Sequence, residues 1–369
     1  MKIENCKIVN SRGGFTLIEL LMVIAIAAVL ATVSFLSLSG SRASNDLQRT
    51  GEEVAAALRN TRQRSLSQEN GTRWGMHFSN ATSGEIYTSF GGASYASSTS
   101  QNAYTLTNGI SFGNPPTSTS IDVLFNPITG YPNQNQIVSL VDGRKDGLVY
   151  DVAVNSLGSV EGKFWQGLVG YWPFDEGTGT TAYDASGNGN SGTLTNSPLW
   201  QTGSNCEAGS CLSFNTSAWK YVTTPFNASI NTNLTLSAWV YPTGVGGSDT
   251  FGTIIQGQFY LSYNDSAKAL SCYWYGTNPP GYFTTPNNTV PLNQWSHIAC
   301  VWNGSFINEY VNGAVQNTVA VTGSGTSPSA INIGAESTAR QFQGQIDDVR
   351  IYNRALSAQD IQDLYNETQ

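Results

Sequence analysis

Residues 13–38 read GGFTLIELLMVIAIAAVLATVSFLSL, a pair of glycines followed by an almost unbroken apolar run over 15–38. At about 1.5 Å per residue that run is long enough to cross a bilayer as a helix. The segment before it carries Lys2, Lys7 and Arg12 against one acid, Glu4. A basic flank of this kind stays in the cytoplasm, so the rest of the chain is expected outside. A secretory signal has its small-residue cleavage site behind the apolar run. Here Gly13-Gly14 stands in front of it, so a cut after Gly14 leaves the helix on the mature chain. Glu19 is the one charge in the run, and at the bilayer centre it would cost roughly 2.5–3.5 kcal/mol. It can snorkel to the interface. Alternatively its carboxylate pairs with the new α-amino group of Phe15 on a neighbouring subunit, a group mostly cationic near neutral pH. Pairing neutralises both charges and fixes the stagger between subunits, and it is the expected role.

The stretch Gly13-Gly14-Phe15-Thr16-Leu17-Ile18-Glu19-Leu20-Leu21 resembles the class III signal of type IV pilins and type II secretion pseudopilins. The resemblance implies that a prepilin peptidase cuts between Gly14 and Phe15 and N-methylates Phe15. It also puts Glu19 at the family's assembly position. The implied layout is a leader over 1–14, a transmembrane helix over 15–38 and an exported amphipathic continuation over 39–68. In that continuation Leu47, Val54, Ala55 and Leu58 form one apolar stripe, with Arg49, Glu52, Arg59, Arg62 and Arg64 elsewhere. Such a stripe packs a helix onto a sheet. The expected location is the bacterial inner membrane, crossed once with the C-terminus exported, or an extracellular pilus.

Over 69–164 the pattern changes to short strands punctuated by Asn80, Gly91-Gly92, Asn114-Pro115-Pro116, Gly130 and Asp142-Gly143. A long helix followed by a sheet is an α+β plan. Trp74-Gly75, the 124–130 stretch LFNPITG and the 152–158 stretch VAVNSLG resemble minor pseudopilins of the GspH/FimT type. His77 has no partner motif nearby and reads as structural.

Trp165 to Leu168 marks a boundary, and 167–369 reads as a second, all-β domain of alternating strands. Asn312-Gly313 is a type I′ hairpin signal. Ser357 and Asp360 form a capping box for a last short helix, which Ile361, Leu364 and Tyr365 would pack down. For an exported chain, Cys206 with Cys211 and Cys272 with Cys300 read as disulfides. A four-thiolate zinc site is the rival, although it lacks a C-x-x-C clasp. The fifth cysteine, Cys6, would leave with the leader.

The motifs Gly170-Tyr171-Trp172-Pro173-Phe174-Asp175-Glu176, Asp184-Ala185-Ser186-Gly187-Asn188-Gly189-Asn190, Trp295-Ser296-His297-Ile298-Ala299, Tyr310-Val311-Asn312-Gly313 and the 344–357 run GQIDDVRIYNRALS resemble LamG-like domains of the concanavalin A-like lectin/glucanase superfamily. The resemblance implies a two-sheet jelly-roll sandwich whose relatives bind glycans or proteins or serve as structural modules. It also implies a structural calcium at Asp175 and Asp347. Their plain alternative is to cap turns.

Tyr273-Trp274-Tyr275 must alternate in a strand, so one or two rings point outward to a glycan or cell-surface ligand. No Glu-x-Asp-x-(x)-Glu run, Gly-x-Ser-x-Gly, His-Glu-x-x-His or phosphate loop is present, so no enzyme activity is expected. A net charge of −8 without a clustered basic patch argues against nucleic acid as a partner. The expected protein is thus an α+β pilin-like subunit, partnered by prepilin peptidase and other pilin subunits, that displays an adhesive jelly roll. The alternatives are a type II secretion pseudopilin that contacts exported substrates and a purely structural filament subunit.

Overall fold

The computed structural model describes residues 17–81, 84–98, 100–116, 119–144, 148–155, 157–215, 218–226, 233–323, 328 and 330–367. Helix α1 spans Leu17–Leu66. The chain divides between Asn45 and Asp46 into two compact units. Among the residues whose side chains are described, no helix is long and apolar enough to cross a membrane. The apolar run 15–38 lies outside that set except for Met22.

The expected stripe on α1 is real: Leu47, Val54, Ala55 and Leu58 are fully buried. Burying each of the larger ones is worth about 1.5–3 kcal/mol. The helix packs on an antiparallel sheet ordered Ile110–Asn114, Gln136–Asp142, Leu148–Val154, Val160–Gln166. Gly51 makes the approach possible, because a Cβ there would overlap the Tyr150 ring. Tyr150 Oη donates to Glu52 Oε1 at 2.6 Å, and Arg59 Nε donates to the Val160 carbonyl at 3.1 Å. A second sheet is ordered Ser100–Thr105, Gly84–Gly91, Trp74–Ala81, Ser120–Leu124. Its register sets His77 opposite Asp122, and the two side chains meet at 2.5 Å. The histidine therefore has a partner that sequence proximity did not reveal.

The two central strands of the helix-bearing sheet are buried at every residue. A strand with both faces covered is apolar throughout instead of alternating. Tyr150 faces α1. Val141 and Val149, on the other face, share a core with Trp165, Leu168, Tyr171, Tyr352, Ile361 and Leu364 of the segment beyond. Trp165 is fully buried with its ring 5.7 Å from that of Tyr352. The expected boundary at Trp165–Leu168 is thus a packed turn at Gly167, with no exposed linker, between Val160–Gln166 and Leu168–Trp172.

From Leu168 on, two antiparallel sheets form a jelly-roll sandwich. One runs Thr181–Ala182, Gly192–Thr195, Tyr221–Pro225, Ala330–Ile333, Phe251–Gln256, Phe259–Asn264, Ala269–Trp274, Phe283–Thr284. The other runs Leu199–Thr202, Ser210–Phe214, Gly344–Tyr352, Leu234–Pro242, Ser296–Trp302, Phe306–Val311, Ala314–Ala320, with Leu168–Trp172 also on Gly344–Tyr352. Trp172, Phe214, Leu236, Ile255, Leu261 and Ile351 fill the space between them. Asn312 and Gly313 both adopt positive φ, as a type I′ hairpin turn requires. Asp184 accepts from the backbone of Tyr171, Ser186 and Asn190, which explains its motif as a loop staple. Helix α2 spans Ala358–Asn366 with the Ser357/Asp360 capping box in place and Ile361 and Leu364 buried.

Candidate functional site

Alternation decides the fate of Tyr273-Trp274-Tyr275. In the strand Ala269–Trp274, Leu270, Cys272 and Trp274 enter the sandwich core. Trp274 is 4% exposed with its ring 4.4 Å from Trp302, so it is a core residue and not a ligand contact. Tyr273 points the other way, and Tyr275, just past the strand, is 45% exposed.

The register then supplies what the sequence did not show. Tyr260 lies opposite Tyr273 on the neighbouring strand. Tyr282 comes from the following loop and Phe251 from one strand further over. The centroid of Tyr273 is 5.0 Å from Tyr275, 5.1 Å from Tyr282 and 5.7 Å from Tyr260. Phe251 stacks on Tyr282 at 4.2 Å.

One edge of this platform is polar. Arg340 Nη1 donates to the Tyr282 oxygen at 2.9 Å and to Glu336 Oε2 at 3.2 Å, and its Nε is bound to Asp249. Tyr260 Oη donates to Glu336 Oε1 at 2.9 Å. The Arg340 hydrogen bond holds the Asp249 carboxyl below its usual range. Burial pushes the Tyr282 phenol up to about 12, so it stays protonated at neutral pH. The Arg340 cation at this rim is already shared between two carboxylates.

Asp175 and Asp347 come together elsewhere, where the jelly roll meets the helix-bearing sheet. Asp347 is fully buried, whereas Asp175 is half-buried. The loop between Cys206 and Cys211 lies on both: Ala208 N donates to Asp347 Oδ2 at 3.2 Å and Ser210 N to Asp175 Oδ1 at 3.0 Å. Asn114 Nδ2 reaches Asp175 Oδ2 at 2.9 Å from the helix-bearing sheet. Loss of water around the Asp175 carboxylate pushes its pKa up to about 8. Burial, with the Asp348 and Asp175 charges beside it, raises that of Asp347 as well.

Carboxylate oxygens are the donors that a hard cation such as calcium takes, and here those of Asp175 and Asp347 accept from Asn114 Nδ2, Ser210 N and Ala208 N. Among the described residues no group of three or more His, Cys, Asp or Glu side chains is placed to hold a metal ion. A calcium at Asp175 and Asp347 would need further oxygens from amides or backbone carbonyls.

The cysteines pair as Cys206–Cys211 and Cys272–Cys300, with Cα separations of 5.5 and 6.2 Å. Both separations suit a disulfide and rule out the four-thiolate site. The second bond ties one sheet to the other. Gly14 and Phe15 lie outside the described residues, as does the side chain of Glu19.

Residues 9–35 match the prokaryotic N-terminal methylation motif, and residues 216–362 match the concanavalin A-like lectin/glucanases superfamily. The chain thus carries a prepilin-type processing and methylation motif ahead of a concanavalin A-like lectin domain. The motif implies processing by prepilin peptidase and a membrane-anchored, pilus-associated protein. No curated protein matches the chain.

Among solved structures, the binding domain of Paraclostridial Mosquitocidal Protein 1 is similar at 17% identity and TM-score 0.45, over 54% of this chain and 52% of that one. Domain 4 of AbnA, an extracellular arabinanase from Geobacillus stearothermophilus solved with arabinotriose, is similar at 20% identity and TM-score 0.43, over 55% and 98%. The botulinum neurotoxin serotype G binding domain follows at 15% and 0.44, over 54% and 50%. The chain thus spans about half the length of the two toxin domains.

Proposed function

We propose that this protein is a minor type IV pilin or pseudopilin whose jelly roll binds carbohydrate on a cell or polymer surface. The observation that carries the reading is the ring platform of Tyr273, Tyr275, Tyr282 and Phe251 beside the Asp249–Arg340–Glu336 rim. Ring faces stack on sugar C–H faces, and carboxylates and phenols take up the hydroxyls. With Arg340 already held by two carboxylates, the rim favours neutral sugars. In this reading Phe15 becomes the methylated N-terminus, Glu19 guides assembly, and the residues around Gly130 and Gly158 belong to a GspH/FimT-like head. The module is read as binding and not catalytic. A structural calcium at Asp175 and Asp347 belongs to the same proposal.

The test is binding of the full chain, in detergent, to a glycan array, alongside Tyr275→Ala. The wild type should retain a neutral glycan class, and the variant should lose at least tenfold in affinity with an unchanged melting temperature. A folded chain that binds no glycan would refute the adhesive reading.

A further inference from the structure

We propose that one water molecule is held inside the protein where the C-terminal helix meets the jelly roll, bonded to Ser237 Oγ, His297 Nδ1, Arg350 Nε and Glu367 Oε1. This site is separate from the ring platform and from the Asp175–Asp347 pair.

Register builds the site. Gly344–Tyr352, Leu234–Pro242 and Ser296–Trp302 are neighbouring strands, with Ser237 opposite Arg350 and Trp239 opposite His297. Ser237 and Trp239 share one face of their strand, and Trp239 stacks on Tyr365 of α2 at 5.6 Å. Glu367 is the C-cap of that helix. Ser237, His297, Arg350 and Glu367 line one cavity, closed by Ile137 of the helix-bearing sheet, which gives the centre of a water-sized sphere about 10 Å³. That is about what a single water needs.

Four polar atoms carry the inference. Ser237 is fully buried, and His297, Arg350 and Glu367 are 3%, 3% and 7% exposed. Yet Ser237 Oγ, His297 Nδ1, Arg350 Nε and Glu367 Oε1 have no hydrogen-bond partner among the described residues. Leaving one buried polar atom unbonded is costly, and four around one cavity call for a common partner. The side chains cannot swing to meet each other. Arg350 Nη1 holds Glu367 Oε2 at 2.7 Å, and its Nη2 donates to Tyr171 Oη at 3.2 Å.

The four atoms match the hydrogen bonding of water. Arg350 Nε–H can only donate, and the Glu367 carboxylate paired with it offers an acceptor. Burial and the Arg350 charge push the His297 pKa down to about 3, so the ring is neutral and one of its nitrogens accepts. Water then accepts from Arg350 Nε and Ser237 Oγ and donates to Glu367 Oε1 and His297 Nδ1. A cation would meet the guanidinium there and an anion the carboxylate, so neither suits the cavity. The arrangement also fixes His297 as the tautomer protonated at Nε2.

The experiment is NMR of the full chain in detergent with isotope-labelled histidine. The chain has two histidines, and His77→Gln assigns their signals. Near neutral pH, wild-type His297 should carry its proton on Nε2, and its ring Hε1 should cross-relax with water as it would with a molecule bound to the protein. Ser237→Val, which fills the cavity with methyl groups, should abolish that cross-relaxation and leave the His77 signals unchanged. A proton on Nδ1 of His297, or no cross-relaxation with water in the wild type, would overturn the proposal. So would cross-relaxation that persists in a folded Ser237→Val, because the water would then lie elsewhere. The wild-type spectra decide the matter even where Ser237→Val does not fold.

Discussion

Glu309 sits fully buried on the strand Phe306–Val311, its Oε2 accepting from Asn317 Nδ2 at 2.7 Å. Burial pushes its pKa up to about 7. The folded state therefore holds a proton there that the unfolded chain releases near its ordinary value of about 4.3. Between those values the native state binds more protons, so stability falls as pH rises, by roughly 3 kcal/mol in all. Glu309→Gln should remove that slope. It should raise the melting temperature at pH 8 and leave it nearly unchanged at pH 5, as read from melts across pH. At the same scale, the neighbours Trp274 and Tyr275 divide the chemistry of one short run: one fills the core and the other faces the solvent. Side-chain alternation was legible in the sequence, but which parity faced inward was not, because a one-residue slip exchanges the faces.

Elements were the best-read level. The α1 stripe, the Asn312-Gly313 turn, the capping box of α2 and both disulfides follow from local patterns, and all are present. Each depends on neighbours within a turn or on a compartment rule, so no tertiary knowledge was needed. Gly51 is the exception within α1. In sequence it reads as a weak point of a helix, whereas the fold uses its missing side chain to seat Tyr150. Gly51→Val should therefore cost about 1–3 kcal/mol by overpacking, despite valine's better helix propensity. Urea unfolding would show it as a lowered midpoint.

Across residues 46–369, the larger of the two compact units, the helix-bearing sheet and the jelly roll act as one body. Arg350 binds Asp151 of the former and Glu367 at the C-terminus, and donates to Tyr171 Oη at 3.2 Å. Lys163 of the former pairs with Asp360 and Asp363 of α2. Removing one member of a buried charge network typically costs about 3–5 kcal/mol. Arg350→Met should thus lower a single calorimetric transition that includes both parts. Two separate peaks in the wild type would contradict the shared core.

The sequence by itself determined the processing motif, the class of each element, the cysteine pairs and the superfamily of the jelly roll, because each is written within short windows. Only the tertiary structure decided the ring platform, the acid pocket and the common core. The platform draws on Phe251, Tyr260, Tyr273, Tyr282 and Arg340. The pocket draws on Asn114, Asp175, the 206–211 loop and Asp347. Strand register and sheet order bring residues this far apart together, and no local pattern encodes either.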